Sequence, residues 1–174
     1  MKLNFLSLFA SLYIAASVLP NGAQALEEKG QETGFPLPRF VSLKSEKANM
    51  RVGPGLQYRI KLVYTEPGFP LEVLAEYGNW RQVRDYSADV GWMHEVLLSG
   101  KRTAVVAPWK KGYTALRERP SFDGDVRAKL ESKVLVNVNS CNTAWCNVSA
   151  GDPSVEGYVN QLALWGVYPG EAIN

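Results

Sequence analysis

The sequence predicts an all-β protein in which two tandem small β-barrels follow a cleaved signal peptide. Apolar runs of about five to six residues alternate with Gly, Pro, Asn and Asp, and no helical period after residue 25 exceeds about two turns. Three motifs also occur twice at a nearly constant offset. The paired positions and their separations are Met50 and Leu116 (66), Trp80 and Trp145 (65), and Gly91 and Gly157 (66). Together these observations indicate two copies of one small β module.

Residues 1–25 are typical of a secretory signal peptide, with cleavage after Ala25. Lys2 gives a positive start, residues 5–18 are mostly apolar, and Ala23-Gln24-Ala25 is a small-x-small cleavage motif. The apolar run is short for a membrane span of about 20 residues, so an uncleaved anchor is the weaker alternative. We therefore expect a periplasmic or secreted protein with no membrane insertion after signal cleavage.

Residues 26–39 are expected to form a flexible leader. Residues 27–33 are largely polar, and the Gly34-Phe35-Pro36-Leu37-Pro38 stretch that follows contains two prolines. Such a segment has little apolar surface to bury, which favours an extended, mobile chain.

The first barrel is expected over residues 40–100. Residues 71–77 alternate as a strand with one apolar face, formed by Leu71, Val73, Ala75 and Tyr77. Gly78-Asn79 then favours a tight turn into a strand that begins at Trp80. Trp80 and Val83 differ in parity, so both could face the core only across a bulge or sharp twist. Residues 94–98 are too short for an α-helix and fit one 3₁₀ turn.

The second barrel is expected over residues 101–171, and it contains the two cysteines of the chain, Cys141 and Cys146. They flank a turn-like segment, and a cysteine pair in an exported protein tends to be oxidised. We expect a structural disulfide that contributes about 2 kcal/mol. The alternative, a redox-active or metal-binding pair, is disfavoured because the spacing is not C-x-x-C and zinc would need further ligands.

Composition and charge exclude some partners. The chain has 174 residues, 46% hydrophobic and 21% charged, and its Lys plus Arg number 19 against 17 for Asp plus Glu. Because this balance creates no strong field, we expect no nucleic-acid partner and no attraction to an anionic membrane. Lys110-Lys111 beside Trp109 could contact an acidic polymer, although two exposed lysines are more often a solvated face.

The repeated motifs resemble the bacterial SH3 domain family. The resemblance rests on Asn49-Met50-Arg51-Val52-Gly53-Pro54-Gly55, the Gly-Asn-Trp turn at 78–80 and Gly91-Trp92-Met93. The second copy keeps Leu116-Arg117 and Pro120 but has Tyr158 in place of the tryptophan. The resemblance implies two tandem SH3-like barrels of five to six strands. Members bind cell-wall peptides or proteins, or position a neighbouring catalytic domain, so the fold alone does not fix the function.

No recognisable catalytic set is present, so we expect a protein that is not an enzyme and needs no cofactor or metal. Gly-x-Ser-x-Gly and His-Glu-x-x-His are both absent from the sequence, and His94 is its only histidine. Asp123-Gly124-Asp125 lacks the bidentate Glu of a calcium loop. A small cell-wall hydrolase that depends on His94 is the remote alternative.

The candidate ligand-binding residues are aromatic side chains near turns of the first copy, together with one arginine. They are Arg51, Tyr58, Trp80, Trp92 and His94. SH3-type clefts use aromatic walls to hold extended peptides, and an arginine could meet a carboxylate. The alternatives are that both tryptophans belong to the core and that Arg51 is a bridging structural residue.

These features predict a non-catalytic exported binding module that contacts peptidoglycan stem peptides or another envelope protein, with the first copy as the binding copy. The alternative is a structural or assembly partner without a ligand of its own. An exposed apolar patch, rather than a cleft, would favour that alternative.

Overall fold

The computed structural model describes residues 28–174, which form a short hairpin and two seven-stranded antiparallel sheets. Within that part of the chain, the helical elements are two three-residue 3₁₀ turns. The all-β prediction and the two-copy organisation are therefore confirmed. The predicted signal peptide, residues 1–25, lies outside the described residues.

Most of the predicted flexible leader is an ordered hairpin. Strands β1 (Glu28–Lys29) and β2 (Pro36–Leu37) pair antiparallel. The Glu76 carboxylate accepts hydrogen bonds from the backbone N–H groups of Glu32 and Thr33, both at 3.0 Å, and from the Thr33 hydroxyl at 2.7 Å. Residues 28–37 are held to the first barrel by these polar contacts rather than by apolar burial.

Barrel 1 is built from seven strands, one or two more than the family resemblance implied. They are β3 (Arg39–Leu43), β4 (Ala48–Arg51), β5 (Ile60–Tyr64), β6 (Pro70–Tyr77), β7 (Trp80–Arg84), β8 (Val90–His94) and β9 (Leu98–Ser99). Their order in the sheet is β5-β4-β8-β7-β6-β3-β9. The short β9 follows the 3₁₀ turn and pairs with β3, which adds the extra strand. The fully buried core side chains are Met50, Leu71, Val73, Val83 and Met93.

A bulge in β6 decides which side chains of the central hairpin face the core. The register between β6 and β7 shifts between Val73 and Ala75, so the alternation predicted for β6 does not continue to Tyr77, which is 64% exposed. Strand β7 itself keeps a regular alternation. Val83 therefore points inward, whereas Trp80 lies on the outer face and is only partly buried.

The predicted 3₁₀ turn is confirmed at Glu95–Leu97. His94 precedes it, and its Nδ1 accepts a hydrogen bond from the Val96 N–H at 3.4 Å. The histidine thus caps the turn that leads into β9.

Barrel 2 repeats the same architecture. Its strands are β10 (Thr103–Val106), β11 (Tyr113–Arg117), β12 (Val126–Glu131), β13 (Leu135–Cys141), β14 (Trp145–Ala150), β15 (Val155–Asn160) and β16 (Leu164–Trp165), with a 3₁₀ turn at Gln161–Ala163. The sheet order β12-β11-β15-β14-β13-β10-β16 matches barrel 1 strand for strand. A disulfide joins Cys141 to Cys146 across the β13–β14 hairpin, as predicted.

The glycine shared by both copies is required by a close approach between strands. A Cβ at Gly91 would lie 2.7 Å from the Arg51 carbonyl oxygen, and one at Gly157 would lie 2.7 Å from the Arg117 carbonyl oxygen. A backbone oxygen cannot move aside as a flexible side chain can, so a side chain does not fit here. This contact explains why glycine recurs at the repeat offset.

The two barrels contact each other through aromatic and polar side chains. The Phe40 ring of barrel 1 lies 5.3 Å from the Trp165 ring and 4.7 Å from the Tyr168 ring. The Tyr168 hydroxyl donates to Glu72 Oε1 at 3.0 Å, and the Thr103 hydroxyl donates to a barrel-1 backbone carbonyl. These contacts bury the Glu72 carboxylate at the junction, where it also pairs with a barrel-1 arginine.

Candidate ligand-binding surfaces

Three of the five predicted site residues lie side by side on the outer face of β7 and β8. Trp80 is the cross-strand partner of His94, and Gln82 is the partner of Trp92. The Trp80 and His94 rings meet edge to face with centroids 5.3 Å apart. Both tryptophans are partly exposed on this outer face.

Arg51 joins this face from β4, where it is the cross-strand partner of Trp92. Its Nη1 donates to the carbonyl oxygens of Leu56, at 3.1 Å, and of Tyr58, at 2.7 Å. Arg51 therefore holds the loop at residues 52–59 against the sheet, which is the bridging role. The Tyr58 side chain lies against Gly53, where an added Cβ would come within 2.6 Å of the ring, and Tyr58 is 40% exposed.

We call these five residues, Arg51, Tyr58, Trp80, Trp92 and His94, the barrel-1 aromatic face. Adjacent strands place four of them in register, and the loop that Arg51 fixes adds the fifth. The face offers flat rings and a guanidinium group, which suit an extended peptide that carries a carboxylate.

Barrel 2 has an equivalent face with different side chains. Arg117 takes the place of Arg51, and its Nη1 donates to the Gly124 carbonyl at 2.6 Å. Tyr158 is the cross-strand partner of Arg117, as Trp92 is of Arg51. Trp145, the counterpart of Trp80, is buried at 8% exposure because the Phe122 ring packs over it at 4.9 Å. The second copy thus covers the tryptophan that the first copy leaves open.

The covered tryptophan lies at the base of an open cleft of about 340 Å³. Four strongly exposed apolar side chains line or border this cleft: Trp109, Tyr113, Phe122 and Leu162. A second open cavity, of about 550 Å³, lies on the other side of Trp109 and reaches Lys111, Glu131 and Lys133. Trp109 and its two lysines were not predicted as a site from the sequence. The sequence feature that could have indicated this site is the pair of aromatic residues, 109 and 113, in a polar loop.

Two carboxyl and phenol groups with shifted pKa values, Glu76 and Tyr168, lie at structural contacts. Burial raises the pKa of Glu76, but hydrogen bonds from Thr33, from Arg39 and from the backbone outweigh it and lower the pKa to about 2. Burial and the nearby Glu72 carboxylate raise the pKa of Tyr168. These groups lie in structural contacts, at the N-terminal hairpin and at the junction of the barrels.

Neither a cluster of potential metal ligands nor a membrane-spanning helix occurs within residues 28–174. No group of three or more His, Cys, Asp or Glu side chains is placed to hold a metal ion in that range. Over the same residues, no helix is long and apolar enough to cross a membrane.

The fold and the repeated face define a pair of SH3-like barrels. The family model for the bacterial SH3 domain matches residues 44–100 and 110–166, and the chain belongs to this family. Bacterial SH3 domains are typically cell-wall-binding modules. No curated protein matches the chain.

Solved structures of two NlpC proteins from Trichomonas vaginalis show a weak similarity. NlpC1 gives a TM-score of 0.32 at 13% identity, over 78% of this chain and 48% of that chain. NlpC2 gives a TM-score of 0.32 at 13% identity, over 74% of this chain and 48% of that chain. The chain therefore spans about half the length of either protein.

Proposed function

We propose that this protein is a non-catalytic, exported binding module that contacts peptidoglycan stem peptides through the barrel-1 aromatic face. The observation that carries the proposal is the register that brings Trp80, Trp92, His94 and Arg51 onto one accessible face. Membership of a family whose domains typically bind cell walls supports the same ligand class. The signal-peptide pattern supports a periplasmic or secreted location.

An extended peptide suits this face for a physical reason. Such a ligand loses little conformational entropy when it docks, and aromatic rings bury its side chains without needing to close around them. The Arg51 Nη1 is occupied by loop carbonyls, so the loop geometry is fixed before a ligand arrives. A preformed wall of this kind supports binding rather than turnover.

Sedimentation with purified peptidoglycan sacculi tests the proposal. We expect the wild type to pellet and Trp92→Ala to bind about tenfold more weakly, since truncating a central aromatic contact typically costs more than about 1 kcal/mol. Tyr158→Ala tests the equivalent position of barrel 2 and should behave as wild type. Phe35→Ala, which truncates an exposed ring on the N-terminal hairpin, is the matched control.

Two results would contradict the proposal. If the wild type stays in the supernatant, the wall-binding function fails and another envelope protein becomes the leading partner. If Tyr158→Ala weakens binding as much as Trp92→Ala, the first copy is not the binding copy. Circular dichroism of each variant checks that the fold is intact.

A further inference from the structure

The two cavities on either side of Trp109 adjoin each other. Trp109, Lys110 and Tyr113 line both of them, so an extended ligand that contacts these three side chains reaches both cavities. We call this surface the Trp109 groove. It lies on barrel 2, and its lining includes none of the residues of the barrel-1 aromatic face.

The groove presents flat rings to solvent. Trp109 is 58% exposed and Tyr113 is 62% exposed, so neither ring is needed to fill the core. Such rings have an electron-rich face, onto which the C–H groups of a sugar can pack. Exposed rings beside an open groove therefore suit a chain of sugar units.

The charges that line the groove are mostly positive. Lys110, Lys111 and Lys133 line the larger cavity together with one carboxylate, Glu131, and Arg117 lines the smaller one. Lys133 Nζ lies 5.8 Å from the ring centroid of Tyr86, so it is held near barrel 1. An anionic ligand is therefore favoured over a neutral one.

The groove is held open by backbone contacts. Ser132 N donates to the Gly112 carbonyl at 3.0 Å, and its hydroxyl donates to the Ala107 carbonyl at 3.0 Å. The loop that carries Trp109 is thus fixed at both ends to the turn that carries Lys133. A ligand then has less loop entropy to remove when it binds.

We propose that the Trp109 groove binds an acidic glycan, a sugar chain with regularly spaced carboxylate groups. This inference rests on the proposed wall-binding function and names a second ligand for it: glycan strands from which the stem peptides have been removed, engaged by barrel 2, whereas barrel 1 engages the stem peptide. Rings and ammonium groups line the same surface, and apolar sugar faces and carboxylates occur together along such a strand.

Binding to glycan strands stripped of peptide tests the proposal. An amidase hydrolyses the bond between the lactyl carboxyl group and the stem peptide, and leaves a carboxylate on every second sugar. We expect the full-length protein to bind these strands, and Trp109→Ala and Lys110→Gln/Lys111→Gln to bind them at least about tenfold more weakly. Binding should also weaken as the salt concentration rises.

The matched controls come from barrel 1. Tyr77→Ala, which truncates an exposed ring, and Lys44→Gln/Lys47→Gln should bind stripped strands as the wild type does, since none of these residues lines the groove. A chitin oligosaccharide of similar length, which is neutral, should bind much more weakly than the stripped strands.

The results separate this inference from the proposed function. If intact sacculi bind and stripped strands do not, the glycan inference fails while the wall-binding function stands. If neither binds, the wall-binding function fails as well. Equal affinity for the chitin oligosaccharide, or preference of the groove for free stem peptide, would overturn the acidic-glycan assignment.

Discussion

In barrel 1, the last inward-facing pair of the β6–β7 hairpin is Glu76 with Arg81, and in barrel 2 the same place holds Cys141 bonded to Cys146. Both cysteines lie 65 positions after their counterparts, which is the repeat offset of this part of the chain. An ion pair in one copy and a covalent bond in the other thus join the same two strands at the same point.

The residues next to each pair also differ, with a charged side chain in barrel 1 and a neutral one in barrel 2. Arg81 also pairs with Glu95 at the start of the 3₁₀ turn, and the counterpart of Glu95 in barrel 2 is Gln161. The Gln161 amide donates to the Glu171 carbonyl at 2.7 Å. Barrel 1 therefore has an ionic cluster where barrel 2 has a disulfide and a neutral amide.

Each pair is also covered by a different end of the described chain. The N-terminal hairpin supplies N–H and hydroxyl donors to Glu76, whereas Ile173 makes a β-bridge with Cys141. A buried carboxylate needs such donors because losing water is costly, and a disulfide does not. The stability of barrel 1 therefore depends on the ionised state of Glu76 and on the N-terminal hairpin. The stability of barrel 2 depends instead on the oxidised state of its two cysteines.

The largest expected effect comes from removing Arg81. Arg81→Ala leaves Glu76 and Glu95 without this partner, and the Arg81 side chain is only 4% exposed, so we expect barrel 1 to lose about 4 kcal/mol of unfolding free energy. Hydrogen exchange on β7 and β14 measures the two barrels separately. Lys61→Ala, which breaks an exposed pair with Asp89, is the control and should cost less than about 1 kcal/mol. Equal loss of protection in β14 would contradict the assignment of this ionic cluster to barrel 1 alone.

The next effect is a pH dependence specific to barrel 1. The Glu76 pKa is lowered from 4.5 to about 2 in the folded state, so its contribution is full above pH 4.5 and is lost as the pH falls toward 2. The lowered pKa of Glu76 means that this carboxylate stabilises barrel 1 only while it is ionised. Glu76→Gln should remove this part of the pH dependence in denaturant unfolding. A variant with the same acid profile as wild type would show that Glu76 titrates normally.

The smallest of the three effects is the loss of the disulfide. Cys141→Ser/Cys146→Ser should lower the stability of barrel 2 by about 2 kcal/mol, because the closed loop is short. Barrel 1 should keep its protection in hydrogen exchange. Mild reduction of the wild type should reproduce the effect, and reduction should have no effect on the serine variant. A larger loss in barrel 1 than in barrel 2 would contradict the comparison.

The sequence predicted the fold because its signals are local. Parity within strands, glycine at close approaches and turn residues at a constant repeat offset each depend on a few neighbouring residues. The ordered N-terminal hairpin could not be predicted in this way, since Thr33 is held by Glu76, 43 positions away. The outward direction of Trp80 likewise accompanies a bulge in the partner strand β6.

The candidate site was predictable to a similar extent. The paired strands β7 and β8 carry Trp80, Trp92 and His94. Their shared face therefore follows from the register between these two strands. The Trp109 groove was not predicted, because its residues come from two separate loops that hydrogen bonds from Ser132 bring together. Exposure of Trp109 and burial of Trp145 could not be distinguished from composition alone.

An NMR titration with a soluble disaccharide–peptide fragment of peptidoglycan tests the central claim most directly. We expect shifts to concentrate on the indole N–H groups of Trp80 and Trp92 and the amide of Arg51. The indole of Trp165, buried at the junction of the barrels, should stay unchanged. Shifts centred on that junction, or no shifts at saturating fragment, would contradict the assignment of this protein as a wall-binding pair of SH3 barrels.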